Sequence, residues 1–353
     1  MIDSVQNLDQ GGQGGVGDSD SSKPWDAVLG NSKKTDIIVV TGARGFLGFA
    51  LSHALRKKGY KNLVLVDDMS KSSSLPIPEG AKEIERSSFF AWVEKQKGNL
   101  DFVFHMGAKT NPLERSFKDL YDWNFMFSRR LFEICVRESV PLVYASTGAT
   151  YGKGEHGFSD SEYSGLKNLD PLTPYATYKH EFDQWVVAQP EKPFFWACVK
   201  LFSVYGPGEE NKNQTGTSVI YKMYRDIQEK AEVEIFQSPD PKYENGSQSR
   251  DFIYVDDVLN VLIHLMENRK TSGISNVGSG ESHSFKEIAR LLFQVMGKEE
   301  KIRFVDMPKH VARSYQYYVK ADIRKLREEF GYPRPMHSLE EGISKYLNYL
   351  SNL

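Results

Sequence analysis

The sequence predicts an α/β fold: a doubly wound parallel sheet followed by a smaller mixed α/β region. Compact apolar runs without alternation, typical of strands buried on both faces, recur through the first two hundred residues or so. Segments with helical apolar spacing lie between these runs. Beyond about residue 206 the alternation loosens, which marks the second region. At 353 residues the chain can form one large domain or two joined ones.

The predicted strands of the sheet are 37–41, 63–67, 101–105, 141–146 and 196–201. The predicted helices between them are 46–59, 118–138 and 177–188. Strands that alternate with helices imply parallel pairing with right-handed crossovers.

The second region combines predicted helices with short apolar runs. The helices are 217–230, 256–268, 284–297, 321–330 and 338–350, and the apolar runs are 233–236, 252–255 and 302–305. We therefore expect a first domain over 35–205, completed by pieces near 250–278, and a cap over 206–353. Residues 1–34 are rich in Gly, Ser, Asp and Gln, so we expect a disordered N-terminal extension.

Composition favours a small-molecule partner over nucleic acid or a membrane. The 45 basic and 47 acidic residues nearly balance and form no long cluster. The two cysteines, Cys135 and Cys198, lie in apolar runs, and the eight histidines are scattered, so we expect neither a disulfide framework nor a metal site. No apolar stretch approaches the ~20 residues that cross a bilayer and no signal pattern is present, so we expect a cytoplasmic location.

A glycine-rich turn follows the first strand. "TGARGFLG" puts Gly42, Gly45 and Gly48 between that strand and a helix, where glycines permit a tight bend and close approach of a pyrophosphate. The next strand ends at Asp67, 19 residues after Gly48, where a carboxylate can accept from a ribose hydroxyl. The alternative is an ordinary strand-to-helix turn, but this context favours a Rossmann-type dinucleotide site.

The sequence leaves NAD and NADP both open as cofactor. Asp67 favours NAD because a carboxylate repels a 2′-phosphate. Arg44 in the glycine turn, or Lys71 just beyond Asp67 and Asp68, could instead accept that phosphate.

The third strand leads into "HMGAKTNP", a second candidate cofactor contact. Gly107 and Ala108 are small enough for a cofactor to lie against the backbone, and Lys109 could hydrogen-bond it. A plain strand-end turn is the alternative here. The remaining expected cofactor-binding residues are Phe46, Leu47, Asp68, Met106, Asn124 and Val204.

A tyrosine and a lysine one helical turn apart are the candidate catalytic pair. In "PYATYKHEFD", Tyr175 and Lys179 lie on one helix face, whereas Tyr178 and Lys179 point about 100° apart. An ammonium can lower the phenol pKa and bind the ribose, so that the tyrosine acts as base or acid at a carbinol. Thr147, which ends the fourth strand in "YASTGATYG", can bind the same oxygen.

In this order, these motifs resemble the extended short-chain dehydrogenase/reductase family over residues 37 to about 350. "LFSVYGPG" and "RDFIYVDDV" are also similar to family motifs. The dehydratases of the family carry an acidic pair directly after the active-site threonine, and here Gly148 and Ala149 follow Thr147, which argues against dehydration.

Within the family, the chain most resembles the 6-epimerases of ADP-glyceromanno-heptose. "ASTGATYG", "YATYK", "FSVYGPGEENKNQ", "SRDFIYVDDV" and "RSYQYYVKADI" follow their motifs in order. The resemblance implies a nucleotide-sugar substrate, ADP-heptose above others, and a tightly bound NAD or NADP that is not consumed. It implies oxidation to a ketone and re-reduction from the opposite face, with Tyr175 and Lys212 as the two acid/bases. The substrate-binding residues implied are Ser203, Lys212, Thr215, Phe236, Arg250 and Tyr315.

Several residues depart from the family pattern. Met106 replaces a carboxylate near the cofactor, Ser203 replaces an asparagine that contacts substrate, and "FQSP" at 236–239 precedes an insertion. Another nucleotide-sugar 4-epimerase or a reductase therefore remains an alternative. A non-catalytic dinucleotide-binding regulator is a further alternative, against which the intact set of Thr147, Tyr175 and Lys179 argues. We also expect a homo-oligomer.

Overall fold

The computed structural model of the chain describes residues 33–70, 76–96, 98–110, 116–212, 216–238, 240–312 and 315–353. The expected disordered extension falls almost wholly on residues 1–32, outside the described residues. The strands are β1 (Ile37–Thr41), β2 (Asn62–Asp67), β3 (Lys82–Glu85), β4 (Phe102–His105), β5 (Leu142–Thr147), β6 (Trp196–Leu201), β7 (Ser203–Tyr205), β8 (Val233–Phe236), β9 (Ser249–Arg250), β10 (Phe252–Tyr254), β11 (Gly273–Val277), β12 (His283–Ser284) and β13 (Ile302–Val305).

The main sheet has seven strands in the order β11-β6-β5-β4-β1-β2-β3. All six neighbouring pairs are parallel, which confirms the predicted doubly wound sheet. The strand order reverses between β1 and β4, and in such sheets ligands bind in the crevice outside the carboxyl ends of the strands at that point. The Gly42 turn and the end of β4 therefore meet where a nucleotide is expected.

The α-helices are α1 (Phe46–Lys57), α2 (Arg86–Gln96), α3 (Phe117–Leu120), α4 (Phe127–Arg137), α5 (Pro174–Ala188), α6 (Val219–Lys230), α7 (Val255–Glu267), α8 (Phe285–Val295), α9 (Lys309–Ala312), α10 (Arg324–Glu328) and α11 (Leu339–Leu350). A π-helix, Tyr121–Met126, joins α3 to α4, so the segment predicted as one helix over 118–138 has three parts. Short 3-10 helices cover Gly148–Tyr151, Tyr163–Asn168 and Glu209–Asn211.

One edge strand of the sheet, β3, was not predicted from the sequence, whereas the other, β11, lies in a segment that was expected to complete the sheet. β3 has the sequence KEIE, in which only Ile84 is buried, so its charged residues hide the strand pattern. Charged side chains are typical of an exposed sheet edge. At the other edge all five residues of β11 are buried, and the strand lies within the 250–278 segment expected to complete the sheet.

Beyond the main sheet, the described residues form three short strand pairs. β7 pairs with β10 and β8 with β13 in parallel, whereas β9 pairs with β12 in antiparallel fashion. Helices α8 and α11 begin with capping boxes built on Ser284 and Ser338. Because β7 directly follows β6, the second region begins at the carboxyl edge of the main sheet.

Candidate active site

A cleft of about 970 Å³ lies at the carboxyl edge of the sheet. It is lined by polar and apolar groups from both regions of the chain. Fifteen of the predicted site residues line it: Gly42, Arg44, Gly45, Phe46, Leu47, Gly48, Asp67, Met106, Gly107, Ala108, Thr147, Tyr175, Lys179, Val204 and Lys212. The predicted cofactor, catalytic and second acid/base residues thus share one cleft.

The glycine turn is packed so closely that side chains would not fit. Gly42 has a φ of +70°, and a Cβ there would lie 2.5 Å from the Cα of Gly107. A Cβ on Gly48 would lie 2.1 Å from the carbonyl oxygen of Gly42. The turn therefore leaves the backbone bare at the N-terminus of α1, where an anion such as a pyrophosphate is stabilised.

Asp67 holds the glycine turn from the end of β2. Its carboxylate accepts hydrogen bonds from the backbone N–H of Arg44 and of Asp68, both at 2.8 Å. The Arg44 side chain donates to Glu83 at 2.9 Å and to the Met69 carbonyl at 3.3 Å. The Arg44 guanidinium thus has protein partners already, while Asp67 keeps lone pairs that could accept from a ribose.

Several predicted cofactor residues do not line the cleft. Asn124, fully buried in the π-helix, accepts from the Lys109 N–H at 2.8 Å and donates to its carbonyl at 3.1 Å. The Lys109 ammonium pairs with Asp119 at 2.9 Å. Asn124 therefore holds the backbone beside the cleft rather than reaching into it. Asp68 does not line the cleft either, and Lys71 lies outside the described residues.

On α5, which begins at Pro174 behind an N-cap from Thr173, Lys179 is buried and Tyr175 is half-buried. Burial, followed by the charge of Asp183, raises the pKa of Tyr175 to about 12, and a hydrogen bond with Thr147 opposes this. Burial lowers the pKa of Lys179 to about 8. The sequence suggested a lowered pKa for the Tyr175 phenol. The pKa is raised instead, because the effect of burial exceeds that of the Thr147 hydrogen bond. The Lys179 ammonium donates to the Ala145 carbonyl at 2.8 Å.

Lys212 reaches the cleft from the second region. It follows the 3-10 helix Glu209–Asn211, and its Nζ lies 4.2 Å from the centroid of the Phe46 ring at the start of α1. Burial lowers its pKa, and the charge of Glu209 opposes that shift. A partly buried amine beside one carboxylate can take up or release a proton. Thr215, a few residues on, is not among the described residues.

Two of the other predicted substrate residues, Arg250 and Tyr315, form a separate cluster at β9. The Arg250 guanidinium lies 5.2 Å from the centroid of the Tyr315 ring, and burial lowers the pKa of Arg250. Gln248 donates to the Phe236 carbonyl at 3.1 Å, which joins the end of β8 to this cluster. Ser203 does not line the cleft, but its N–H donates to the Asp251 carbonyl at 3.0 Å. Ser203 therefore links β7 to the cluster.

The cleft also contains residues that sequence reasoning missed. Arg86, the first residue of α2, stacks on Trp123 with 3.5 Å between Cζ and the ring centroid. Its Nε is one of the buried side-chain atoms that lack a hydrogen-bond partner in the described part of the chain. Ser146 lines the cleft next to Thr147 and donates to Asp183 at 2.7 Å. Of these residues, only Ser146 could have been found from the sequence, because it directly precedes Thr147 in "YAST".

Neither a metal-ligand cluster nor a membrane-spanning helix occurs among the described residues. Within them, no group of three or more His, Cys, Asp or Glu side chains is placed to hold a metal ion. No helix in the same ranges is both long enough and apolar enough to cross a membrane.

The sequence comparisons agree with the geometry. The model of the NAD dependent epimerase/dehydratase family matches residues 38–278. The ADP-L-glycero-D-manno-heptose-6-epimerase of Fusobacterium nucleatum subsp. nucleatum is 33% identical over 334 residues, covering 89% of this chain and 98% of that protein.

Solved structures share the fold over nearly the whole chain. The structure of MoeE5 in complex with UDP-glucose and NAD has a TM-score of 0.70 at 26% identity, covering 90% of this chain and 99% of that one. The Helicobacter pylori ADP-L-glycero-D-manno-heptose-6-epimerase has a TM-score of 0.75 at 23% identity, covering 91% and 97%. The latter likeness is one of fold.

Proposed function

Because the chain belongs to the NAD dependent epimerase/dehydratase family, we propose that it is an ADP-glyceromanno-heptose 6-epimerase. The observation that carries the proposal is that Tyr175 and Lys212 line the same cleft as the glycine turn. An epimerase that re-reduces a ketone on its opposite face needs a proton donor on each side, because one tyrosine cannot reach both positions of the oxygen. This arrangement suits inversion at a carbinol better than simple reduction.

The cleft suits a dinucleotide cofactor. The backbones of Gly42, Gly48 and Gly107 pack so closely that a Cβ would not fit, which leaves bare main chain facing the cleft, and Asp67 stands at the end of the neighbouring strand. Lys179 would bind the nicotinamide ribose through its ammonium, and Gly45 and Phe46 would line the pyrophosphate side. When bound, NAD or NADP supplies the transient oxidation of the carbinol and its reversal.

The chain's own residues would manage the protons. Tyr175, assisted by Thr147, takes the proton from the sugar hydroxyl on one face. After the ketone turns in the site, Lys212 gives a proton to the oxygen on the other face, and in the reverse direction the two exchange roles. Lys212 suits this role because burial lowers its pKa toward the range in which an amine exchanges protons.

The β9 cluster would bind the rest of the substrate. Arg250 is half-buried next to Tyr315, and a guanidinium matches a diphosphate in bidentate fashion. Ser203, Phe236 and Thr215 complete the proposed substrate set. In this division, residues 35–205 with the pieces near 250–278 bind the cofactor, and 206–353 form the substrate cap.

The direct test is incubation with ADP-D-glycero-D-manno-heptose and separation of the two C6 epimers. We expect interconversion with no net change in NAD(P)H absorbance. No interconversion by cofactor-loaded protein would reject this substrate. Net consumption of NAD(P)H would instead favour a reductase. Epimerisation of another nucleotide-sugar would favour a 4-epimerase.

The second test changes the proposed second acid/base, Lys212. Lys212→Met should abolish epimerisation while leaving cofactor binding intact, measured by the quenching of protein fluorescence on addition of NAD or NADP. A Lys212→Met variant that epimerises at a near normal rate would remove Lys212 from the mechanism.

We further propose a cytoplasmic homo-oligomer that supplies heptose for the lipopolysaccharide core. Three large apolar residues around α3 and the π-helix, Phe117, Tyr121 and Met126, are exposed by 61%, 39% and 40%. Tyr121 also packs against Tyr178 of α5, and these exposed apolar side chains could contact a second copy of the chain. Light scattering after size-exclusion chromatography tests this, and Phe117→Glu should shift the mass to that of a monomer.

A further inference from the structure

Glu209 is a fully buried carboxylate next to the proposed acid/base lysine. Its side chain has 0% exposure, although it carries no ion pair among the described residues. It accepts hydrogen bonds from the Gly206 N–H at 3.2 Å, the Ser218 N–H at 2.5 Å and the Ser218 hydroxyl at 2.8 Å. One carboxylate therefore joins the turn after β7 to the N-terminus of α6.

Lys212 lies between these two anchor points along the chain. Lys212 lies three residues after Glu209, and its N–H donates to the Glu209 carbonyl at 2.9 Å. Ser218 is the N-cap of α6, and its hydroxyl accepts from the Tyr221 N–H at 3.1 Å while donating to Glu209. The negative charge of Glu209 thus also lies at a helix N-terminus, where it is favoured.

Few charged groups act on the Glu209 carboxylate among the described residues. Burial raises its pKa, and its three hydrogen bonds and the charge of Lys212 lower it. The titratable groups that face it from neighbouring elements are Tyr205, Tyr221 and Tyr346, whose own pKa values are raised, so they are neutral near pH 7. Glu209 and Lys212 are therefore the charges that act on each other here.

We propose that Glu209 is the positioning residue that fixes Lys212 over the cleft, by joining the Gly206 turn to the N-terminus of α6 on either side of Lys212 in the chain. This inference rests on the proposed function for its effect on turnover. Its effect on the lysine itself does not depend on that function.

The test compares Glu209→Gln with Glu287→Gln. Glu287 accepts from the N–H of an N-cap serine, Ser284, at 2.6 Å, so the control removes the charge of a carboxylate bound to an N-cap serine at another helix. Reductive methylation with ¹³C-formaldehyde lets each lysine titrate in an NMR spectrum, and Lys212→Met assigns the Lys212 signal. In Glu209→Gln we expect the Lys212 midpoint to fall by about 1 pH unit, since a nearby opposite charge is lost. Glu287→Gln should leave it unchanged.

Turnover supplies the second readout. In Glu209→Gln we expect kcat for epimerisation to fall by about 100-fold with little change in KM, because misplaced catalytic groups affect the reaction more than binding. An unmoved Lys212 midpoint together with an unchanged kcat would overturn the proposal. If the wild-type protein epimerises no heptose, the Lys212 titration alone tests the role of Glu209. A failure of the proposed function can therefore be told apart from a failure of the positioning proposal.

A milder pair of variants covers the case in which Glu209→Gln does not fold. Ser218→Ala removes the hydroxyl bond to Glu209, and Ser284→Ala removes the matching N-cap bond of α8. We expect Ser218→Ala to lower kcat several-fold at unchanged KM, while Ser284→Ala leaves kcat as in the wild type. Equal kcat values for these two variants would contradict the positioning role.

Discussion

Asp183 and Lys200 form an ion pair behind the reactive tyrosine and lysine, with 2.6 Å between Oδ2 and Nζ and 0% exposure of either side chain. Asp183 lies on α5 one turn after Lys179, and Lys200 lies on β6. Lys200 also donates to Thr150 at 2.8 Å, and Ser146 of the cleft donates to Asp183 at 2.7 Å. The pair thus supports the end of β5, where Thr147 stands.

Removal of one partner of this pair should be strongly destabilising. Lys200→Met leaves the Asp183 charge buried without compensation, and we expect the free energy of unfolding in urea to fall by about 3–5 kcal/mol. The double variant Asp183→Asn with Lys200→Met removes both charges and should recover part of that loss. A loss below about 1 kcal/mol in the single variant would contradict the uncompensated-charge argument.

Lys179 should make stability depend on pH in the alkaline range. Its pKa is about 8 in the folded protein, against an ordinary value of 10.5 for a lysine in an unfolded chain, so between these values the unfolded chain binds more protons. Folding stability contributed by this site therefore rises with pH from about 8 to 10.5. Relative to Lys179→Met, the wild type should gain on the order of 3 kcal/mol across this window, measured by denaturation at each pH. A constant difference between the two proteins would show that the Lys179 pKa is not lowered.

Tyr175→Phe should remove catalysis without removing the cofactor. The phenol is the group that exchanges the proton, so we expect turnover to fall by about 10²–10⁴-fold while NAD(P) still binds. Tyr178→Phe is the matched control, because Tyr178 lies on the same helix but packs against Tyr121 instead. Equal losses in the two variants would remove Tyr175 from its proposed role.

Gly42→Ala should damage the cofactor site. The new Cβ would lie 2.5 Å from Gly107 at a φ of +70°, so we expect destabilisation by more than about 1 kcal/mol and loss of NAD(P) binding. Gly165→Ala is the control, since a Cβ there meets nothing within 4 Å. Calorimetry with each cofactor measures binding, and unchanged affinity in Gly42→Ala would contradict the close-approach argument.

Where a local pattern determines a feature, the sequence predicts it well. The glycine turn and the pair on α5 could be predicted because backbone conformation and helical spacing are local properties. The family resemblance, confirmed by the family match and by the F. nucleatum relative, depends on the order of such motifs.

Features that depend on distant contacts could not be predicted from sequence. Arg86 follows an edge strand whose charges conceal it, and only the fold brings Arg86 onto Trp123. The same holds for the pKa of Tyr175, which burial raises although its helix position alone suggested the reverse. In the sequence, Glu209 is one of several polar residues in a loop. Its importance depends on the hydrogen bond from Ser218, nine residues later, which only the fold provides.

The π-helix Tyr121–Met126 also bears on how such sites arise and how they are compared across relatives. A π-turn contains one residue more than an α-turn, and a single insertion into an older α-helix can create it. Deleting one residue there would rotate Asn124 by about 100° relative to α4 and break both of its bonds to Lys109. A relative that lacks one residue at this point would thus hold the Lys109 backbone beside the cleft in a different way.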